Sequence, residues 1–195
     1  HVSYTNEEPN EIELQRIADL SEINIPTDFP IISLEPIKDF IWLEKLTINN
    51  QSIRELCPLA DKKYLKELCA QNTPSNNLKP IENDIQLEVL NIENTQINDL
   101  APLSKMANLV TLNAGGTPIK SLKPLQNLLN LENLAINNTN VRNLSPIENL
   151  PKLKNLKVYN TKLNNKKITQ LQEKRLDMNI VFYWQRKCHY TTIIL

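Results

Sequence analysis

The chain has 195 residues, with 22 basic and 22 acidic side chains and a formal net charge of zero. That balance excludes the basic footprint of a nucleic-acid binder, and no stretch approaches about 18 consecutive apolar residues, which excludes a membrane-spanning helix. The three cysteines, Cys57, Cys69 and Cys188, have an odd count and no C-x-x-C spacing, which fits free thiols better than a disulfide framework.

The first residues, HVSYTNEEPNE, are polar and acidic and do not form a signal peptide. The chain opens on His1 rather than Met, which leaves room for a removed leader or upstream domain. Pro9 to Leu20 reads as a short helix, with Asn10 and Glu13 spaced as a capping box. Such a helix would cover the open apolar end of a stacked array. Leu20, Ile23 and Ile25 then imitate a repeat start one residue out of phase. Ile31, Leu34, Pro36, Ile37 and Phe40 fall 22 residues before Ile53, Leu56, Pro58, Leu59 and Lys62.

From here the chain repeats. Leu43, Leu65, Leu87, Leu109, Leu131 and Leu153 open six units of 22 residues. Leu46, Leu68, Leu90, Leu112, Leu134 and Leu156 follow, then Ile48, Ala70, Ile92, Ala114, Ile136 and Val158. The alternation around the second leucine predicts a strand with one buried face. A fixed period of about 20–29 residues with one strand per unit is the mark of a stacked solenoid.

Asn-Thr follows the strand at Asn72-Thr73, Asn94-Thr95, Asn138-Thr139 and Asn160-Thr161. Short polar side chains that bond nearby backbone suit a turn leaving a strand. Ile53, Ile97, Ile119 and Val141 then point inward, as do Leu56, Leu78, Leu100, Leu122 and Leu144. Pro58, Pro80, Pro102, Pro124 and Pro146 come two residues after those leucines and predict a short helical or 3-10 turn. Ser75 stands where an Ile belongs, so its unit is expected to be looser. Asn165 to Leu176 reads as a helix with Ile168, Leu171 and Leu176 on one side, and Ile180 to Trp184 as a closing strand.

The division that follows is 1–42 for an N-terminal cap and degenerate first repeat, and 43–164 for six 22-residue repeats. Residues 165–184 make a helix-strand cap and 185–195 a tail. The fold class is α/β: a right-handed solenoid with about eight parallel strands on the concave side, 3-10 or helical turns on the convex side and a helical cap at each end.

The unit L-x-x-L-x-I-x-N-T-x-I-x-x-L-x-P-L resembles the 22-residue leucine-rich-repeat class shared by bacterial internalins and the eukaryotic regulatory subunit of protein phosphatase 1. The resemblance covers roughly residues 20 to 184. One departure is that the family places Asn at the ninth position of the unit, bonding the next turn. Here Gln51, Thr73, Thr95, Thr117, Thr139 and Thr161 hold that position, so the Thr hydroxyl is expected to do that bonding. The resemblance implies a curved, non-catalytic platform that binds another protein on its concave sheet. It leans toward a bacterial secreted or cell-surface protein, with the cytoplasm as the alternative.

The only histidines are His1 and His189, outside the repeats, and there is no P-loop and no G-x-G-x-x-G. The reading is therefore not an enzyme, with no cofactor and no metal. The outward strand positions form a wall of amides and hydroxyls. If it binds a partner, contacts are expected at Glu93, Asn113, Asn133, Asn137, Asn155, Lys157 and Tyr159, with Tyr159 as anchor. Gly115-Gly116 leaves a notch there, either a recess for a partner's side chain or a tolerated irregularity. The wall itself is either a recognition surface or a ladder that solvates the sheet. Residues 1–39 are acidic against Arg16 and Lys38 alone, while 152–190 are basic against Glu173 and Asp177 alone. An acidic protein partner is thus favoured near the basic end, with a monomeric chain. The alternatives are a self-associating structural element, acidic end to basic end, and an accessory recognition domain of a longer adhesin or effector.

Overall fold

The computed structural model describes residues 19–182. One parallel sheet runs through them with its eight strands in chain order. They are β1 (Glu22–Asn24), β2 (Lys45–Thr47), β3 (Glu67–Cys69), β4 (Val89–Asn91), β5 (Thr111–Asn113), β6 (Asn133–Ala135), β7 (Asn155–Lys157) and β8 (Asn179–Val181). The register pairs like with like: Leu46, Leu68, Leu90, Leu112, Leu134 and Leu156 lie side by side. β1 joins with Ile23 opposite Leu46, a spacing one residue longer than the repeat, as its phase predicts.

Beyond each strand the units stay bonded through the turn. Ile48 N donates to Cys69 O and Asn50 N to Gln71 O, and the pattern recurs along the stack. The turn needs a left-handed residue, and Asn50, Asn72, Asn94, Asn138 and Asn160 supply it with φ between 52° and 60°. Asn adopts that region more readily than bulkier residues. In the fourth of the six turns Gly116 does the same with φ 69°. The asparagine side chains also form a ladder: Asn72 donates to Asn50, Asn94 to Asn72, and Asn160 to Asn138.

The threonine beside each asparagine behaves differently from expectation. Thr73, Thr95, Thr117, Thr139 and Thr161 donate to Ala70, Ile92, Ala114, Ile136 and Val158 carbonyls, three residues back in their own turn. A hydroxyl on one short branch reaches its own strand end and not the next unit. Gln51, with a longer side chain, does span units: it accepts from Ile31 N at 2.8 Å and donates to Pro26 O at 3.1 Å.

The prolines open 3-10 turns at Glu35–Ile37, Cys57–Leu59, Lys79–Ile81, Ala101–Lys105 and Lys123–Leu125. Around Pro146 the chain makes hydrogen-bonded turns instead. Ser75 does not loosen its unit. It is fully buried, and its hydroxyl donates to Ile53 O at 2.9 Å, so a hydrogen bond replaces the missing Ile contact.

The expected N-terminal helix falls outside the described residues except for Asp19 and Leu20, which are not helical. At the other end α1 (Asn165–Lys174) starts at Asn164, whose side chain accepts from Lys166 N. Ile168 and Leu171 are buried, but Leu176 is 90% exposed, a correction to its expected inward side. The helix stops at Lys174, so Leu176 no longer follows the helical phase. Arg175 does the closing work: its guanidinium donates to the carbonyls of Glu148, Leu150 and Leu153. β8 is shorter than expected, and Tyr183, Trp184 and the tail fall outside the described residues.

Candidate partner-binding face

Strand alternation sends every second side chain of β2 to β7 away from the core. On that face the amides bond one another across units. Asn91 donates to Gln71 and Asn113 to Glu93, at 2.9 and 3.0 Å. Farther along, Asn133 donates to Thr111 at 3.1 Å and Asn155 to Asn133 at 2.8 Å. Each amide thus points its nitrogen toward the N-terminal end; the oxygens of Asn133 and Asn155 accept from the next unit, while those of Asn91 and Asn113 accept from Glu93 N and Gly115 N in their own turn. The chain of bonds orients the wall and uses part of its bonding capacity internally.

The predicted site residues divide into three groups. Glu93, Asn113 and Asn133 are half-buried members of this network. Asn155 and Lys157 are exposed on β7, and Tyr159 is half-buried just beyond it. Asn137 is 3% exposed and does not offer an open contact. Its side chain occupies the recess at Gly115, where an added Cβ would stand 2.9 Å from Asn137 Nδ2. The notch is therefore filled from within, and nothing in the sequence pattern of one unit reveals that filling.

Tyr159 also lines a cleft of about 330 Å³ with Asn160, Thr161, Asn164, Ile168 and Phe182. The cleft lies where the last full unit meets α1, so it joins the wall to the cap. A larger open groove, about 470 Å³, runs past the 3-10 turns and is lined by Lys120, Lys123, Ser121 and Ser145. It lies on the turn side, away from the wall, so the Tyr159 end is the stronger candidate.

Cys69 sits on the face beside Glu67, and burial together with that carboxylate pushes its thiol above the ordinary range. A raised thiol is a poor nucleophile near neutral pH. Trp42 and Tyr64 stack with ring centres 5.0 Å apart at the start of the first two full units, both exposed. Trp42 thus packs on the next unit's Tyr64. Among the described residues no group of three His, Cys, Asp or Glu is placed to hold a metal, and no helix is long and apolar enough to cross a membrane.

The family pattern described as Leucine Rich repeats (2 copies) matches residues 85–127. No curated protein matches the chain by sequence. Internalin C2 of Listeria monocytogenes is similar in structure, with 26% identity, TM-score 0.79, and coverage of 86% of this chain and 73% of that one. Internalin F of the same organism has 20% identity and TM-score 0.79 over 88% of this chain, which spans half of that structure's length. The ectodomain of the Arabidopsis thaliana receptor kinase GASSHO1/SCHENGEN3, solved in complex with CASPARIAN STRIP INTEGRITY FACTOR 2, has 16% identity, TM-score 0.59, and coverage of 66% of this chain and 17% of that one. With one strand per 22-residue unit, 3-10 turns at the prolines and these neighbours, the chain has the leucine-rich-repeat fold and is similar in structure to internalins.

Proposed function

We propose that the chain is a protein-binding module without catalytic chemistry of its own, which presents the polar strand face to a partner protein. The observation that carries this reading is the gradient along the face. From Glu93 to Asn133 the network is half-buried, whereas Asn155, although bonded to Asn133 and Asn179, and Lys157 are exposed, and Tyr159 lines the cleft against α1. A partner that docks there meets a half-buried aromatic, which loses little conformational freedom on binding, and pre-oriented amides. Aromatic anchors of this kind dominate binding energies.

Lys152, Lys162, Lys166 and Lys167 lie near β7 and the start of α1 in the chain, and this basic stretch favours an acidic partner surface. The described plant ectodomain, recorded in complex with another protein, is an instance of this fold engaging a partner.

The test is affinity capture from the native host with the wild type beside Tyr159→Ala/Lys157→Ala. Loss of a partner by a double variant that melts like the wild type supports the placement. Retention of that partner places the binding surface elsewhere on the solenoid. Asn137 is left unmutated because its buried side chain holds the wall together.

A further inference from the structure

Each unit ends in a buried position just before the next strand. In units opening at Leu87, Leu109 and Leu131 it is Met106, Leu128 and Leu150; in the two units before them it is Lys62 and Asp84. Two ionisable side chains therefore stand in neighbouring places of one otherwise apolar column.

They do not neutralise each other by direct pairing. Lys62 turns away and donates its ammonium to Lys38 O at 2.6 Å, in the preceding unit. Asp84 is 1% exposed, and neither of its carboxyl oxygens has a hydrogen-bond partner among the described residues. A buried carboxylate without such bonds is costly, while its protonated form is much less so.

We propose that Asp84 makes the packing of unit 65–86 on unit 43–64 depend on protonation. With the carboxyl neutral, these units open together with the rest of the solenoid. With it ionised, the N-terminal units open ahead of the remainder. Nearest-neighbour coupling in a solenoid permits such local opening, because each unit is held only by the units beside it.

The groups around Asp84 support this. Burial, then the Asp61 carboxylate, push the Asp84 carboxyl up to about 7, against the nearby backbone N–H of Lys62, which is committed to Leu59 O at 3.3 Å, and the Lys62 ammonium charge. From unit 87–108 the facing residue is Met106, which brings no charge, and Lys105 beside it is exposed. On its own turn stands Glu82, half-buried. Lys62 is itself discouraged from charging by burial, with Asp39 as well as Asp84 holding its proton on.

The direction follows from linkage. An unfolded Asp titrates near about 4, so between about 4 and 7 the folded state binds more protons than the open state. The stability contributed by the neutral form is complete below about 4 and is lost as pH rises through about 7.

Amide hydrogen exchange on the whole chain, corrected for intrinsic rates, tests this between pH 5.5 and 8.5. The opening equilibrium of peptides within 43–86 is expected to rise about thirtyfold across that window, while peptides within 109–157 do not follow. Asp84→Asn and Asp84→Leu, the second matching Leu128, are expected to abolish the rise. His1 and His189 are present in the wild type and in both variants, so any contribution from them is common to all three. A flat wild-type response, a rise shared equally by 109–157, or a rise that persists in either variant overturns the proposal. Should Asp84→Asn fail to fold, Asp84→Leu and the wild-type series still decide it.

Discussion

Asn137 lies over Gly115, with its amide nitrogen 2.9 Å from the place a Cβ on Gly115 would take. The two residues are separated by one repeat, and each is unusual only in the presence of the other. Gly115→Ala is expected to push Asn137 outward and to lower stability by about 1–3 kcal/mol, the range for overpacking a filled site. Gly115→Ala combined with Asn137→Ala should cost less than the sum of the single changes, because the clash is gone. A double-mutant cycle in urea measures that coupling; additive costs would mean that the contact carries no strain.

Gly116 raises a separate expectation. Its φ of 69° suits glycine, and a Cβ there would collide with Asn94 Oδ1. Gly116→Ala should lower stability by about 1–2 kcal/mol. Gly116→Asn should cost less, since Asn tolerates the same backbone at Asn94 and Asn138 and can enter the ladder once Asn94 turns. Thermal melts of the two variants check the order, and equal losses would contradict it.

The core is more demanding. Leu90 and Leu112 are buried at the centre of the stack. Leu90→Ala or Leu112→Ala should cost about 2–5 kcal/mol and separate the melting of the two halves. Calorimetry of either variant would refute the assignment if the melt were unchanged.

Arg175 closes the last unit by donating to three carbonyls, those of Glu148, Leu150 and Leu153. Arg175→Met should destabilise by about 1.5–3 kcal/mol, as removing a charged donor does, and should raise amide exchange in α1 first. Arg175→Lys should rescue little, because an ammonium lacks the planar fork that reaches several acceptors at once. Full rescue by lysine would reduce the residue's role to charge alone.

The strands, the inward leucines and the proline turns were legible because every unit sees the same surroundings. A residue at position 90 reports on the environment of residue 112. What escaped depends on single events. Asn137 looked like any other outward amide, and only a missing side chain one unit earlier draws it in. Arg175 was missed because, apart from Asp177 two residues on, its partners are backbone carbonyls, which carry no letter in the sequence. Leu176 was misplaced because the helix ends two residues before it. The strand face was legible as a list of side chains, but not the direction in which its amides spend their bonds.

The like-on-like register makes chain length a quantised variable in this protein. Removing residues 109–130 would join Asn108 to Leu131 and carry every inward leucine onto an equivalent one. The same excision would delete Gly116 and bring Asn138 beside Asn94, so the asparagine ladder would close where glycine now interrupts it. A chain shortened by 11 residues instead would drive outward amides into the leucine column. Circular dichroism melts should therefore show a cooperative transition for the 22-residue deletion and none for the 11-residue one. Evolution can lengthen or shorten such a molecule only in whole steps, and each step changes its reach without redesigning its interior.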